Sequence, residues 1–236
     1  MAAIETTETF EAELTAAARL DVARNPFVAA IVAGRCSRDA IRRYAAATYA
    51  LSDHFPQRLA AAASIVDDPE VRLALLENLL EEEGVVALHG NRLIRDDAKR
   101  HGNVALRFAI AAGATEDDLR AAREHDRVAA PWLAAAIARK SAAAAVAFLT
   151  VGIESNVPAT LSLIAESLSR HYGFAAHDLE FLESHVAFDA SHGAAGARLT
   201  ARLACTAPKR DEALEGARRG ALAWWGFHRS FCRMDR

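Results

Sequence analysis

The sequence predicts an all-α protein, and three observations carry that prediction. Alanine is heavily used while β-branched and aromatic residues are sparse, which favours helix at most positions. Twelve Gly and six Pro are too few for the many turns of a β protein. Apolar residues recur with helical period from end to end, and no stretch alternates as a strand does. At 236 residues the chain can bury one sizeable core. Nothing divides it, so residues 1–236 read as one helical domain, a bundle of about seven helices with short connections.

Taken in order, a first helix covers about 8–24 and ends before Asn25-Pro26. Ser37 is an N-cap for a helix through Tyr44 and Tyr49, interrupted near Pro56 and continuing to about Val66. Asp67-Asp68-Pro69 opens the next helix, with Leu73, Leu76 and Leu80 on one stripe. This helix carries Glu82, is kinked at Gly84, resumes through His89 towards Arg100, and closes at His101-Gly102-Asn103. After a short apolar segment, 104–112, the run Ala114 to Asp118 has the acidic first turn of a helix start. A helix around Trp132 leads into the apolar stretch 142–153, ending at Glu154, and Pro158 starts a segment that stops at Tyr172-Gly173. Helices of about 177–204 and 208–232 complete the chain, and Trp224-Trp225 and Phe227 pack the last one onto the bundle.

Net charge is −3 with both signs interspersed, which argues against a nucleic-acid partner. Cys36, Cys205 and Cys232 are odd in number and far apart, as expected of free thiols in a reducing cytoplasm. The acidic N-terminus has no apolar core of a secretory signal. The longest uncharged run, Ser141 to Ile153, falls short of the roughly 18–20 residues that span a bilayer, so no membrane partner is expected.

Three groups of residues carry chemistry. His185, Asp189 and His192 sit at offsets 0, 4 and 7, within a sector of about 60° on one helix face. Two imidazoles and a carboxylate suit Fe, Mn or Zn. A solvated polar face is the alternative, but Phe181, Leu182, Val186 and Phe188 require part of this surface to be buried. Glu154 ends thirteen uncharged residues, and a carboxylate on a mostly buried helix needs something positive beside it, unless this helix end is exposed. Glu82 and His89 are seven apart on one face, about 10 Å along a straight helix, and Gly84 between them allows distortion. Together these are three carboxylates and three histidines, whose formal −3 offsets most of the +4 on two ferrous ions.

The order Glu-x6-His, then Glu, then His-x3-Asp-x2-His resembles the heme-oxygenase-like diiron oxidases. Asn78-Leu-Leu-Glu-Glu-Glu-Gly84, Tyr44…Tyr49…Phe55-Pro56 and Arg107-Phe108-Ala109…Gly113 are similar to segments of that family. The resemblance implies a seven-helix heme-oxygenase-like fold with two Fe(II) ions held by Glu82, His89, Glu154, His185, Asp189 and His192. It implies O2 as co-substrate and a small, amino-acid-derived substrate undergoing N-oxygenation or oxidative C–C or C–N cleavage in specialised metabolism. An external electron donor and a homodimer are further partners that the family allows.

His101 is the alternative to His89, because His101-Gly-Asn-Val-Ala-Leu-Arg-Phe108 resembles the family stretch that follows the ligand histidine. His89 is preferred for its short reach from Glu82. The para-aminobenzoate synthases of this family have a Tyr before the middle Glu and a Lys on the next helix. Here Ile153 precedes Glu154 and no Lys occurs between Lys140 and Lys209, so their self-sacrificing chemistry is not expected. A metal-free oxidase or hydrolase of the same fold, or a helical adaptor whose polar residues are surface, are the competing readings. His54, beside Phe55-Pro56, is read as a satisfied core or surface histidine in preference to a residue near the pocket, and His125, His171, His177 and His228 have no partner spacing.

Overall fold

The structure is a computed structural model that describes residues 7–126 and 131–233, with backbone alone for 187–194 and 233. Helix α1 (Thr7–Ala18) stops earlier than expected. Asn25-Pro26 does not merely end a helix. The Asn25 side-chain oxygen accepts from Phe27 N–H at 3.1 Å and caps α2 (Pro26–Val32), with Pro at its first turn. Ser37 caps α3 (Arg38–Ala63) as expected, accepting from Ala40 N–H at 3.1 Å.

The expected interruption at Pro56 is absent, because α3 runs through it. Proline inside a helix costs on the order of 3 kcal/mol. Packing offsets that cost: α3 lies against α4 (Pro69–Glu82), α5 (His101–Ala111) and α6 (Glu116–Asp126), and buries Tyr44, Tyr49, Phe55 and Leu59.

Asp68 caps α4 through Glu70 and Val71 N–H at 3.0 and 3.1 Å. The stripe turned inward is not Leu73, Leu76 and Leu80. Leu73 and Leu76 are 56% and 41% exposed, while Val71, Leu75 and Glu82 are buried. Positions 71, 75, 78 and 82 share one face at about 100° per residue, so the face carrying Asn78 and Glu82 is the one that docks.

Helix α4 does not resume beyond Gly84. That residue has φ +75°, and a Cβ there would lie 2.6 Å from the Asp96 carbonyl oxygen and 2.7 Å from Arg100 N. The chain instead forms an antiparallel hairpin of β1 (Val85–His89) and β2 (Arg92–Arg95), pairing Leu88 with Leu93 and His89 with Arg92. Val-Val-Ala-Leu suits a strand, and Gly90-Asn91 supplies a two-residue turn, with Gly90 at φ +58°. His101 consequently opens α5 rather than closing a long helix.

After α7 (Pro131–Ala138), residues 142–172 form one unbroken helical rod. It comprises α8 (Ala142–Val146), a π-helical stretch (Ala147–Ile153), a 3₁₀ turn (Glu154–Asn156) and α9 (Val157–Tyr172). Gly173, at φ +73°, ends it. By length and composition the rod could cross a membrane, which the charge-free run 141–153 alone did not suggest, but 78% of its most apolar window is buried inside the protein. It is the core rod of the bundle. Helices α10 (Glu180–Leu203) and α11 (Ala207–Arg229) pack along it. The described residues hold eleven α-helical segments where about seven were expected, since the sequence did not register short pieces such as α2, α7 and α8.

His228 gives the bundle a pH dependence. Its ring is 1% exposed among Tyr44, Trp224 and Phe227, with Nδ1–H donating to the Trp224 carbonyl at 3.0 Å. Burial pushes its pKa down to about 4, the carbonyl working the other way. Between that value and its ordinary value of 6.5 the unfolded chain binds more protons than the folded one, so stability rises with pH across this window. The contribution is complete above pH 6.5 and is lost as pH falls towards 4, by up to about 3 kcal/mol. Urea unfolding followed from pH 7 to pH 4 is expected to show this slope, and His228→Leu to flatten it.

Candidate metal centre and its cavity

Four helical segments present polar side chains to one buried point. Glu82 comes from the end of α4, His101 from the start of α5 and His185 from α10. Each offers a ligand atom, and these atoms lie within 4.8 Å of one another. All three residues are buried, at 7%, 8% and 9% exposure. Glu82 Oε2 is 2.9 Å from His101 Nδ1, and the His101 and His185 rings meet edge-on with centroids 4.6 Å apart. Glu154, 3% exposed, lines the same cavity, and its Oε1 accepts from Asn78 Nδ2 at 2.9 Å.

Local structure sets these side chains. His185 Nδ1 is 2.8 Å from the Phe181 carbonyl one turn back, so Nδ1–H donates there and Nε2 keeps its lone pair for a metal. Glu154 stands where the π-helical stretch meets the 3₁₀ turn. Such irregular helical turns redirect side chains and recur at functional sites.

Around Glu82 and His101 an ionic clamp closes. Arg100 donates from Nε to Glu83 at 3.0 Å and from Nη1 to Asp53 at 2.8 Å, and Arg123 also pairs with Asp53. Burial disfavours the Arg100 charge, but Asp53 and Glu83 outweigh it and raise its pKa. Glu83 and Arg100 are the chain neighbours of Glu82 and His101, so their pairing pins both backbones to α3.

The cavity beside these residues encloses about 60 Å³. Tyr44, Thr48, Ser52 and Phe55 face it from α3, Ile153 and Val157 from the central rod, Phe181 from α10, and Trp224 and Phe227 from α11. Burial pushes the Tyr44 phenol pKa well up, against a smaller pull from the Thr48 hydroxyl, so the phenol stays neutral. Trp224 Nε1–H donates to Thr160 at 3.0 Å, which fixes the indole.

Buried carboxylate and imidazole groups converging from separate helices fit ferrous iron, for which oxygen and nitrogen ligands of this kind are usual. The family model for iron-containing redox enzymes matches residues 42–225. The chain belongs to this family.

One curated protein and two solved structures are similar to this chain. A 4-aminobenzoate synthase of Chlamydia muridarum (strain MoPn / Nigg) is 27% identical over 212 residues, 88% of this chain and 83% of that protein. A TenA homolog from Pseudomonas syringae pv. tomato str. DC3000 superposes with a TM-score of 0.70 at 14% identity, covering 96% of this chain and 90% of that one. A domain of unknown function with a heme-oxygenase-like fold, from Shewanella denitrificans OS217, gives a TM-score of 0.64 at 14% identity, covering 95% and 88%. The fold of this iron-containing redox enzyme is therefore the all-α, heme-oxygenase-like one.

Within that family frame, the structure brings together Glu82, Glu154 and His185 of the expected ligands. It does not bring His89, which lies exposed on β1 and pairs across the hairpin with Arg92. His101 stands beside Glu82 instead. The spacing argument assumed a continuous helix, whereas the hairpin takes residues 85–95 out of the line and returns the chain to the site. The likeness of His101-Gly-Asn-Val to the family stretch was the signal that found it. Asp189 and His192 lie outside the described side chains, and the backbone carries them on α10 one and two turns beyond His185. His54 is satisfied away from the cavity: its Nδ1 is 2.8 Å from Asp126 Oδ2, to which Arg58 also donates at 2.7 Å. The sequence did not single out Ser52, Trp224 or Phe227 as cavity wall, since each is unremarkable until α3 and α11 face each other.

Proposed function

We propose that this protein is a non-heme diiron oxidase or oxygenase that uses O2 to transform a small, amino-acid-derived organic molecule in the cytoplasm. The observation that carries the reading is the convergence of buried Glu82, His101 and His185 on one point, with Glu154 at the wall of the adjoining cavity. A helical adaptor has no need to bury these groups together, because doing so without a cation is costly. Asp189 and His192, one and two turns after His185, complete a set of two or three ligands per metal. The similarity to a 4-aminobenzoate synthase supports oxidative chemistry of this kind. Three free cysteines suit a reducing compartment.

Two ferrous ions, when bound, supply the electrons that reduce O2 and the oxidant that acts on the substrate. The chain does the rest. The Phe181 carbonyl keeps the His185 proton on Nδ1, and Asn78 orients the Glu154 carboxylate. The Glu83–Arg100–Asp53 clamp holds Glu82 and His101 in register. Aromatic and aliphatic walls exclude water from the reacting face of the substrate. Ile153 precedes Glu154 and no Lys occurs between Lys140 and Lys209, which supports a free molecule rather than a side chain of the protein as the substrate.

Anaerobic Fe(II) titration with measurement of O2 uptake tests the proposal. Two irons per chain, and O2 consumption that depends on them, are expected. Binding of one iron or none overturns the diiron reading.

A further inference from the structure

We propose that Fe(II) reaches the metal centre along an outer groove between α4, the central rod and α10, drawn in by Glu77 and Glu81. The inference rests on the reading of the buried cluster as a metal centre. Glu154 joins the two spaces: it lines the buried cavity and also this groove, which offers about 260 Å³. Glu77, Asn78 and Glu81 line the groove from α4, Thr150 from the π-helical stretch and Gly196 from α10. A six-coordinate aqua ion fits such a space, since its waters take up about 180 Å³ at about 30 Å³ each. Ala74, Glu77, Asn78 and Glu81 lie within a sector of about 100° on α4, and Asn78 stands where that sector meets the docked face. From this border Asn78 Nδ2–H donates to Glu154 Oε1 at 2.9 Å, which sets the amide across the inner end of the groove.

Charge placement points to a cation. The C-terminal turn of a helix is the negative end of its dipole and favours basic residues, yet the last turn of α4 has none and carries Glu81 and Glu82. Glu77 and Glu81 are four apart, a like-charge spacing that destabilises a helix. Glu82 faces His101 and Glu83 pairs with Arg100, whereas Glu77 and Glu81 line the groove. Helix stability does not account for this pair, and attraction of cations does. The carboxylates stand among Ala74, Leu75, Ala195 and Leu199, and apolar walls of this kind concentrate the field of the charges they enclose. A cation passing them meets Glu154 next, and Glu154 is already part of the buried cavity wall.

Anaerobic stopped-flow mixing of the full-length protein with Fe(II) tests this. Trp224 lines the cavity, so quenching of tryptophan fluorescence reports the ion's arrival. The double variant Glu77→Gln/Glu81→Gln is expected to slow association about tenfold at low ionic strength, and progressively less as salt is added. Its dissociation rate and iron stoichiometry are expected to match the parent's, since a charge at the rim acts mainly on the rate of encounter. Ala74→Phe, which narrows the groove without changing charge, is expected to slow association and dissociation by the same factor and leave affinity as it was. Glu8→Gln/Glu13→Gln removes the same charge from the exposed face of α1 and is expected to change nothing. An association rate equal to the parent's in either groove variant overturns the proposal, as does equal slowing by the α1 pair. Loss of bound iron in the Glu77/Glu81 variant also overturns it, because the two would then be ligands. Failure of the metal-centre reading is separate and visible beforehand, as a parent protein that binds no Fe(II).

Discussion

Replacing His101 by alanine is expected to lower Fe(II) affinity at least about 100-fold, because loss of groups that merely support a ligand already costs about 10–100-fold. The same change at His89 is expected to leave affinity as it was. The two residues have equal claims by chemistry and unequal ones by position: His101 Nδ1 is 2.9 Å from Glu82 Oε2, whereas His89 is exposed on the hairpin. Competition with a chromophoric chelator under anaerobic conditions reads both affinities, and circular dichroism confirms that each variant folds. If His89→Ala released iron and His101→Ala did not, the hairpin would not be the state that binds metal. The pair of variants therefore tests the hairpin and the ligand assignment together.

Gly220→Ala is expected to destabilise the protein by about 3 kcal/mol or more, the upper end for inserting one carbon into a filled core. For a chain of this size that lowers Tm by roughly 6–12 °C. A Cβ at position 220 would lie 2.1 Å from the Phe148 carbonyl oxygen and 2.8 Å from Gly152 Cα. Both are backbone atoms, so no side chain can swing aside. Helix α11 would have to move off the π-helical stretch, and that stretch positions Glu154. Iron affinity of the folded fraction is therefore expected to fall as well. Gly226→Ala is the control on the same helix: a Cβ there meets nothing within 4 Å, and alanine in place of glycine should stabilise the helix by up to about 1 kcal/mol. Differential scanning calorimetry of the two variants separates close approach from helix propensity. A Gly220→Ala protein as stable as the parent would mean that α11 has slack the structure does not show.

The amino-acid sequence by itself determined the all-α class, because alanine-rich helical periodicity runs through nearly all of the chain, the hairpin of residues 85–95 apart, and does not depend on which face docks. It also pointed to Glu154 and His185, since a lone carboxylate at the end of a charge-free run and a His-x3-Asp-x2-His face stand out from their apolar surroundings, and both Glu154 and His185 line the buried cavity. Caps at Ser37 and Asp68 were legible for the same local reason, being bonds between residues two or three apart.

Tertiary structure decided what those local rules leave open. Pro56 stays inside α3 because three neighbouring helices hold both sides of it. Helix α4 buries Val71, Leu75 and Glu82 and leaves Leu73 and Leu76 outside, a docking that also brings Asn78 to the Glu154 carboxylate across the cavity. Above all, it was Gly84 that placed His101 rather than His89 beside Glu82. A left-handed glycine packed on the backbone of Asp96 and Arg100 ends the helix, sends residues 85–95 outward, and returns the chain with its histidine at the site. Spacing along a sequence measures distance only while the helix continues, and contacts between residues far apart in the chain decide where it stops.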